Sequence, residues 1–287
     1  MGLVLILSLG YFLLYRRAKL KYHGWAEELA KKEFPLRKNF LLMGHFFLQK
    51  INYTYKTSYD RKLAHQLAEL YGVEKAYFYL QVHWANKIGY LLLMIFFIIF
   101  LQVLAGGDPY LLFLGVLVLA AIFGGLDYEL KKMTSSRRLR ICLDFPDFLN
   151  QLILLLNAGL TISNAWQKIV HHNQKESPLY REVRQVGYEL EQNKTLTVAL
   201  EDFARRCRVP EITRFTAVLL QNLKKGNAEL VPVLRLQANE CWLMRKNTAQ
   251  RLGEEASTKL LLPMMLMLIA ILLIVAAPAI LALRNLG

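Results

Sequence analysis

Twenty-four consecutive residues without a charge, Leu260 to Leu283 ("LLLPMMLMLIAILLIVAAPAILAL"), constrain this chain more than any other feature. As a helix the run reaches about 36 Å, enough for a tilted crossing of a hydrocarbon core about 30 Å thick. Pro263 and Pro278 lie near its two ends, where a missing backbone donor does least harm. Two further apolar runs, Ile88 to Gly106 and Tyr110 to Leu126, are separated only by Gly107–Pro109. Pro109 suits the second position of a tight turn, so the pair reads as a helical hairpin across a membrane. Met1 to Tyr15 is apolar but would reach only about 22 Å. No Lys or Arg precedes it and no small-residue cleavage site follows. It reads as an uncleaved anchor rather than a signal peptide, with an interfacial helix as the alternative. The expectation is an all-α membrane protein with three to four transmembrane helices.

Charge sets the orientation. The chain carries a net +14. Residues 16–87 hold 14 Lys and Arg against 6 acids, and residues 127–259 hold 21 against 15. The turn between the hairpin runs has no Lys or Arg, and the tail after Leu283 has only Arg284. Lys and Arg concentrate on the cytoplasmic side of a membrane, so both basic blocks are expected inside, with the N-terminus outside. Topology then accounts for most of the positive charge, and nucleic acid is not needed as a partner. Basic pairs such as Arg205-Arg206 and Lys224-Lys225 lack interleaved aromatics and read as solvated faces near anionic membrane lipid. No Asp, Glu, Lys, Arg or His interrupts the three stronger runs, in which Gln102 is the one strongly polar side chain. Pumps and coupled transporters use buried intramembrane charges, so the membrane part reads as an anchor and packing surface.

The soluble segments read as helices. "TSYDRKLAHQLAELYG" sets Tyr59, Leu63, Leu67 and Leu70 on one stripe, with Gly72 at a C-cap position. From Glu74 the chain is expected to run helically into the second apolar run. In the larger block Asp144 is expected to cap a helix, with Pro146 in its first turn. That helix would bury Phe145, Phe148, Leu149, Leu152, Ile153 and Leu156. Asp147, Asn150, Gln151 and Asn157 line its polar face, and Gly159 stops it. Leu154 points toward that polar face, which makes it a candidate partner contact. Thr161 or Ser163, Ser177-Pro178, Thr195 or Thr197, and Pro210 mark further helix starts. Gly226-Asn227 marks a turn, after which a long helix from Leu230 enters the last run. This makes a compact bundle of about six helices.

No catalytic constellation stands out. His171-His172 are adjacent, so their side chains diverge on a helix, and no third ligand stands at the next turn. Walker, GxSxG and HExxH motifs do not occur. Glu254-Glu255 diverge in the same way. Cys142, Cys207 and Cys241 lack CxxC spacing and fit idle thiols in a reducing compartment. No cofactor or metal is expected, and no enzymatic activity.

The order of features in the C-terminal half resembles a known family. "DFPDFLNQLILLLNAGLTISNAW", then "SPLYREVRQVGYELEQNKTLTVALEDFARRCRVPEITRFTAVLLQNLKKGNAELVPVLRLQA", then an apolar span is similar to the type II secretion system F domain. That family includes GspF-type platform proteins and the TadB- and TadC-type proteins of tight-adherence pili. The motifs are Phe145, Pro146, Asp147, Ala158, Gly159 and Leu160 at the opening, Ala199-Leu200, the Gly226 turn, and Glu254, Glu255, Pro263 and Pro278 at the close. A single F domain behind a basic juxtamembrane block is closest in layout to TadC. The resemblance implies a non-enzymatic platform in the bacterial cytoplasmic (inner) membrane. Its expected partners are a paralogous TadB-like F-domain protein, a hexameric secretion or pilus ATPase, pilin subunits and membrane lipid. A permease-like subunit of a multi-chain transporter is the alternative. The layout expected is an anchor over residues 1–15, basic juxtamembrane helices over 16–87 and the hairpin over 88–126. An F-type domain over 127–259 and a last span over 260–283 follow.

Overall fold

The computed structural model describes residues 16, 38–107, 109–223 and 227–284. The anchor expected at Met1–Tyr15 and the Gly226 turn lie outside them. Every regular element among the described residues is an α-helix, as the apolar periodicities require. The chain divides into two compact units, Met1–Arg138 and Leu139–Gly287.

In the first unit, α1 (Lys38–Ile51) and α2 (Ser58–Tyr71) pack on α3 (Val73–Leu104), and α4 (Pro109–Asn157) follows the turn. The stripe read on α2 is real, since Leu63 and Leu67 are buried with Leu80 of α3 and Leu130 of α4. Gly72 ends α2 at φ 90°, and its N–H bonds to the Ala68 carbonyl. On the other side of α3, Leu41 and Leu48 of α1 pack on Val82 and Ala85. The two backbones approach closely there. A Cβ on Gly44 would stand 1.8 Å from the Ala85 carbonyl oxygen and 2.9 Å from the Gly89 nitrogen. Only glycine permits this crossing, and Ala85 and Gly89, one turn apart, provide its floor. Gly106 and Gly107, both at positive φ, make the reversal after α3. Pro109 is the first helical residue of α4, where its missing N–H costs nothing, rather than the second position of a tight turn.

The second unit contains the end of α4, then α5 (Ile162–His172), α6 (Pro178–Glu191), α7 (Leu196–Cys207), α8 (Pro210–Asn222) and α9 (Asn227–Arg284). The expected starts at Thr161, Ser177, Thr195 and Pro210 are all observed. Thr161 Oγ1 accepts from the Asn164 N–H, and Ser177 Oγ from the Tyr180 N–H. One expectation fails. No helix begins at Asp144, because α4 runs unbroken through it with Pro146 in its interior. The apolar stripe of Phe145, Phe148 and Leu152 continues upstream to Ile141, fully buried in the same core. Burial along that continuous stripe outweighs the roughly 3 kcal/mol that an interior proline costs. Asp144 instead pairs with Lys175, and Asp147 with Arg245 Nη1 at 2.9 Å. The long helix expected from Leu230 is present and begins slightly earlier, at Asn227. It continues as α9 through Pro232, Pro263 and Pro278.

Candidate functional site

The bundle of the second unit closes on five aromatic rings. Phe148 meets Trp166 edge-on at 4.9 Å, Trp166 meets Phe203 at 5.4 Å, and Phe145 meets Phe215 at 5.4 Å. Such edge-to-face pairs add about 0.5–1.5 kcal/mol each to the burial of their area. The indole N–H of Trp166 donates to the Val183 carbonyl at 2.9 Å, so the largest buried side chain leaves no orphaned donor. α5 and α6 lie close enough that a Cβ on Gly187 would meet Val170 at 3.0 Å. Gln167 Nε2 donates to the Gly187 carbonyl at that crossing. Outside the core, Arg206 bridges Glu182 and Glu189 at 2.8 Å each, and Lys194 spans Glu189 and Asp202. The hydrogen bond from Lys194 holds the Asp202 carboxyl below its usual range, with Arg205 and Arg206 adding to the effect.

The motif residues take distinct positions in this framework. Phe145, Ala199 and Leu200 are brought together in the core, and Leu160 packs against it. Gly159, at φ 86°, ends α4. The Gly159 N–H bonds to the Leu156 carbonyl, and the Leu160 N–H to the Leu155 carbonyl. These two bonds with Leu160 against the core form a Schellman end. Glu254 and Glu255 lie elsewhere, exposed along α9, where Glu255 pairs with Arg251 at 3.2 Å. Pro263 and Pro278 sit within the apolar part of the same helix.

Two surfaces are available to partners. Leu154 is 69% exposed, on the side of α4 opposite the core stripe. Val233, Leu236, Leu243 and Met244 are also exposed on α9, with Leu236 at 63% and Leu243 at 59%. At 3.6 residues per turn these four fall within an arc of about 100°. Glu240, paired with Arg214, lies within the same arc, so this exposed face combines apolar side chains with one ion pair.

A third feature was not read in the sequence. At the end of the hairpin remote from its turn, the ammonium of fully buried Lys87 donates to both carboxylate oxygens of Asp127, at 3.0 and 2.8 Å, and to Tyr59 Oη at 2.7 Å. Tyr59 Oη in turn donates to Asp127, and His83 Nε2 lies 3.2 Å from the same carboxylate. Burial and the Asp127 hydrogen bond push the Tyr59 hydroxyl above its ordinary range, so it stays protonated and can donate. The ring of Phe123 covers the Lys87 ammonium at 3.5 Å. Next to this clip, buried Asp60 accepts from Tyr53 Oη, Trp84 Nε1 and the Thr57 N–H. The signal available in sequence was a lysine just before one apolar run and an aspartate just after the next. An antiparallel hairpin brings those positions to one depth.

Among the described residues no group of three or more His, Cys, Asp or Glu is placed to hold a metal ion. Three described helices, α3, α4 and α9, are long and apolar enough to cross a membrane. Residues 148–278 match the family model described as Type II secretion system (T2SS), protein F. The bundle and most of the last apolar run therefore carry an F domain, consistent with a GspF-, TadB- or TadC-type protein. With the apolar helices, this domain marks a multi-pass membrane protein. The family is one of structural membrane platforms of type II secretion and type IV pilus systems. No curated protein and no solved structure matches the chain.

Proposed function

We propose that this chain is the platform of a Tad-like pilus or type II secretion-like assembly machine in the bacterial cytoplasmic membrane. Both basic blocks face the cytoplasm, where a hexameric ATPase engages the F domain and its work is passed to pilin subunits in the membrane. The observation that carries this reading is an F domain two of whose helices, α4 and α9, continue without a break into apolar runs. The exposed stripe of α9 and Leu154 are the surfaces through which a paralogous F-domain membrane protein would pair with it. Because the chain has no nucleotide motif, the free energy for assembly must come from a bound ATPase.

Crosslinking followed by mild-detergent purification tests the proposal. A paralogous membrane chain and a hexameric ATPase should be recovered together. Leu236→Glu with Leu243→Glu should release the membrane partner and leave the helical content unchanged. Recovery of a transport ATPase with a solute-binding protein would overturn the platform reading.

A further inference from the structure

The first unit contains a cavity of about 320 Å³ where α1, α2, α3 and α4 converge, within the usual size of small-ligand sites. Leu126, Leu130 and Met133 of α4 form its apolar wall, at successive turns of one helix face. Its polar features are His83, Asn86, Glu129 and the phenols of Tyr71 and Tyr79. Asn86 is only 8% exposed, and its side-chain oxygen accepts no hydrogen bond. A buried acceptor without a donor is costly, and such groups are usually satisfied by a ligand or ordered water when the protein alone does not satisfy them.

Depth narrows the ligand. Asn86 stands two residues before the apolar run of α3 begins at Ile88, and Leu126 closes the apolar run of α4. The cavity therefore lies where hydrocarbon gives way to headgroups, open to an amphiphile whose tail follows the apolar wall. Charge narrows it further. No Lys or Arg is among the lining residues, whereas Glu129 contributes a carboxylate. The neighbouring Lys87 is already engaged by Asp127 and Tyr59. An anionic headgroup would meet a carboxylate with no cation lining the site, and a quaternary ammonium could not donate to Asn86. A primary ammonium can donate to Asn86 Oδ1, the acceptor left without a donor, and lie beside the Glu129 carboxylate.

We infer that this cavity binds a phospholipid with an ethanolamine headgroup, held by Asn86 and Glu129. The inference rests on the membrane-spanning reading of α3 and α4 and not on the platform role. The full-length chain, purified in mild detergent and delipidated, is offered phosphatidylethanolamine, phosphatidylcholine and phosphatidylglycerol at equal concentrations, with retention read by native mass spectrometry. The ethanolamine lipid should be retained about tenfold better than the other two, the ratio that one hydrogen bond of ordinary strength supplies. Asn86→Leu, close in shape, should abolish that preference, and Leu130→Phe should lower retention by filling the cavity. Circular dichroism checks that both variants keep their helices. If one does not fold, a photoreactive residue replacing Met133 supplies the second readout and should crosslink to lipid. Equal retention of the three lipids, a preference that survives Asn86→Leu, or a crosslink from position 133 to another part of the chain would each overturn the site. Extraction of the chain into buffer without detergent would instead overturn the membrane reading itself.

Discussion

Lys87 is the residue on which the hairpin most depends. Its ammonium has no exposure and gives its protons to Asp127 and Tyr59. Removing one partner of a buried ion pair leaves the other charge uncompensated, at about 3–5 kcal/mol. Asp127 retains some solvent, so about 3 kcal/mol is expected. Lys87→Met or Asp127→Asn should lower the melting temperature in detergent, and Lys87→Met with Asp127→Leu should recover most of the loss. In the bundle, Leu152 is fully buried, and Leu152→Ala should cost about 2–5 kcal/mol. Asp202 gives a pH dependence of known sign. Lys194 holds its folded-state carboxyl below the ordinary value. The pair therefore stabilises the fold above the unfolded carboxyl value, about pH 4, and that contribution disappears as pH falls through the depressed folded value. Acid titration of a Lys194→Met variant should show less of this loss than the parent. Residue roles were unequally legible. Gly159 could be read because a helix end needing positive φ asks for glycine locally, whereas Lys87 and Asp127 stand 40 positions apart and meet only through the turn.

Four of the helix starts that the sequence marked with their own chemistry are found in place. Thr161, Ser177-Pro178, Thr195 and Pro210 open α5 to α8, since caps and N-terminal prolines act within a few residues. Asp144 and Pro146 carry the same local signals, yet α4 passes through both. The reason is non-local: Ile141 and Phe145 bury into one core, and stopping between them would expose the stripe. The crossing of α1 over α3 was illegible for a related reason, because nothing near Gly44 says which backbone approaches it. Gly44→Ala places a methyl into the Ala85 carbonyl, so α1 must be displaced. Limited proteolysis in detergent should then cut within Lys38–Ile51 far faster than in the parent, and Gly124→Ala, with open space around it and an ordinary helical backbone, should leave that site protected.

At the scale of the whole molecule the membrane class was legible from three charge-free runs, because a bilayer imposes a length that sequence can be counted against. Orientation is testable at two exposed positions. Buried Cys207 and Cys241 are poor reporters, so Leu154→Cys and Tyr110→Cys, both at exposed sites, are the informative variants. An impermeant maleimide should label Tyr110→Cys in sealed cells and reach Leu154→Cys only after permeabilisation. The opposite pattern would invert the topology. The turn between α3 and α4 has a bearing on how the protein is made. Only Ala105 to Asp108 separate the two helices, and Asp108 is the single charge. Carrying one carboxylate through the bilayer centre costs about 2.5–3.5 kcal/mol on the insertion scale, which the apolar residues on either side readily offset. In the proposed orientation the hairpin can therefore enter as one event, both helices together, with no long soluble segment between them to be threaded across. Its biogenesis then asks for an insertase rather than a translocation motor.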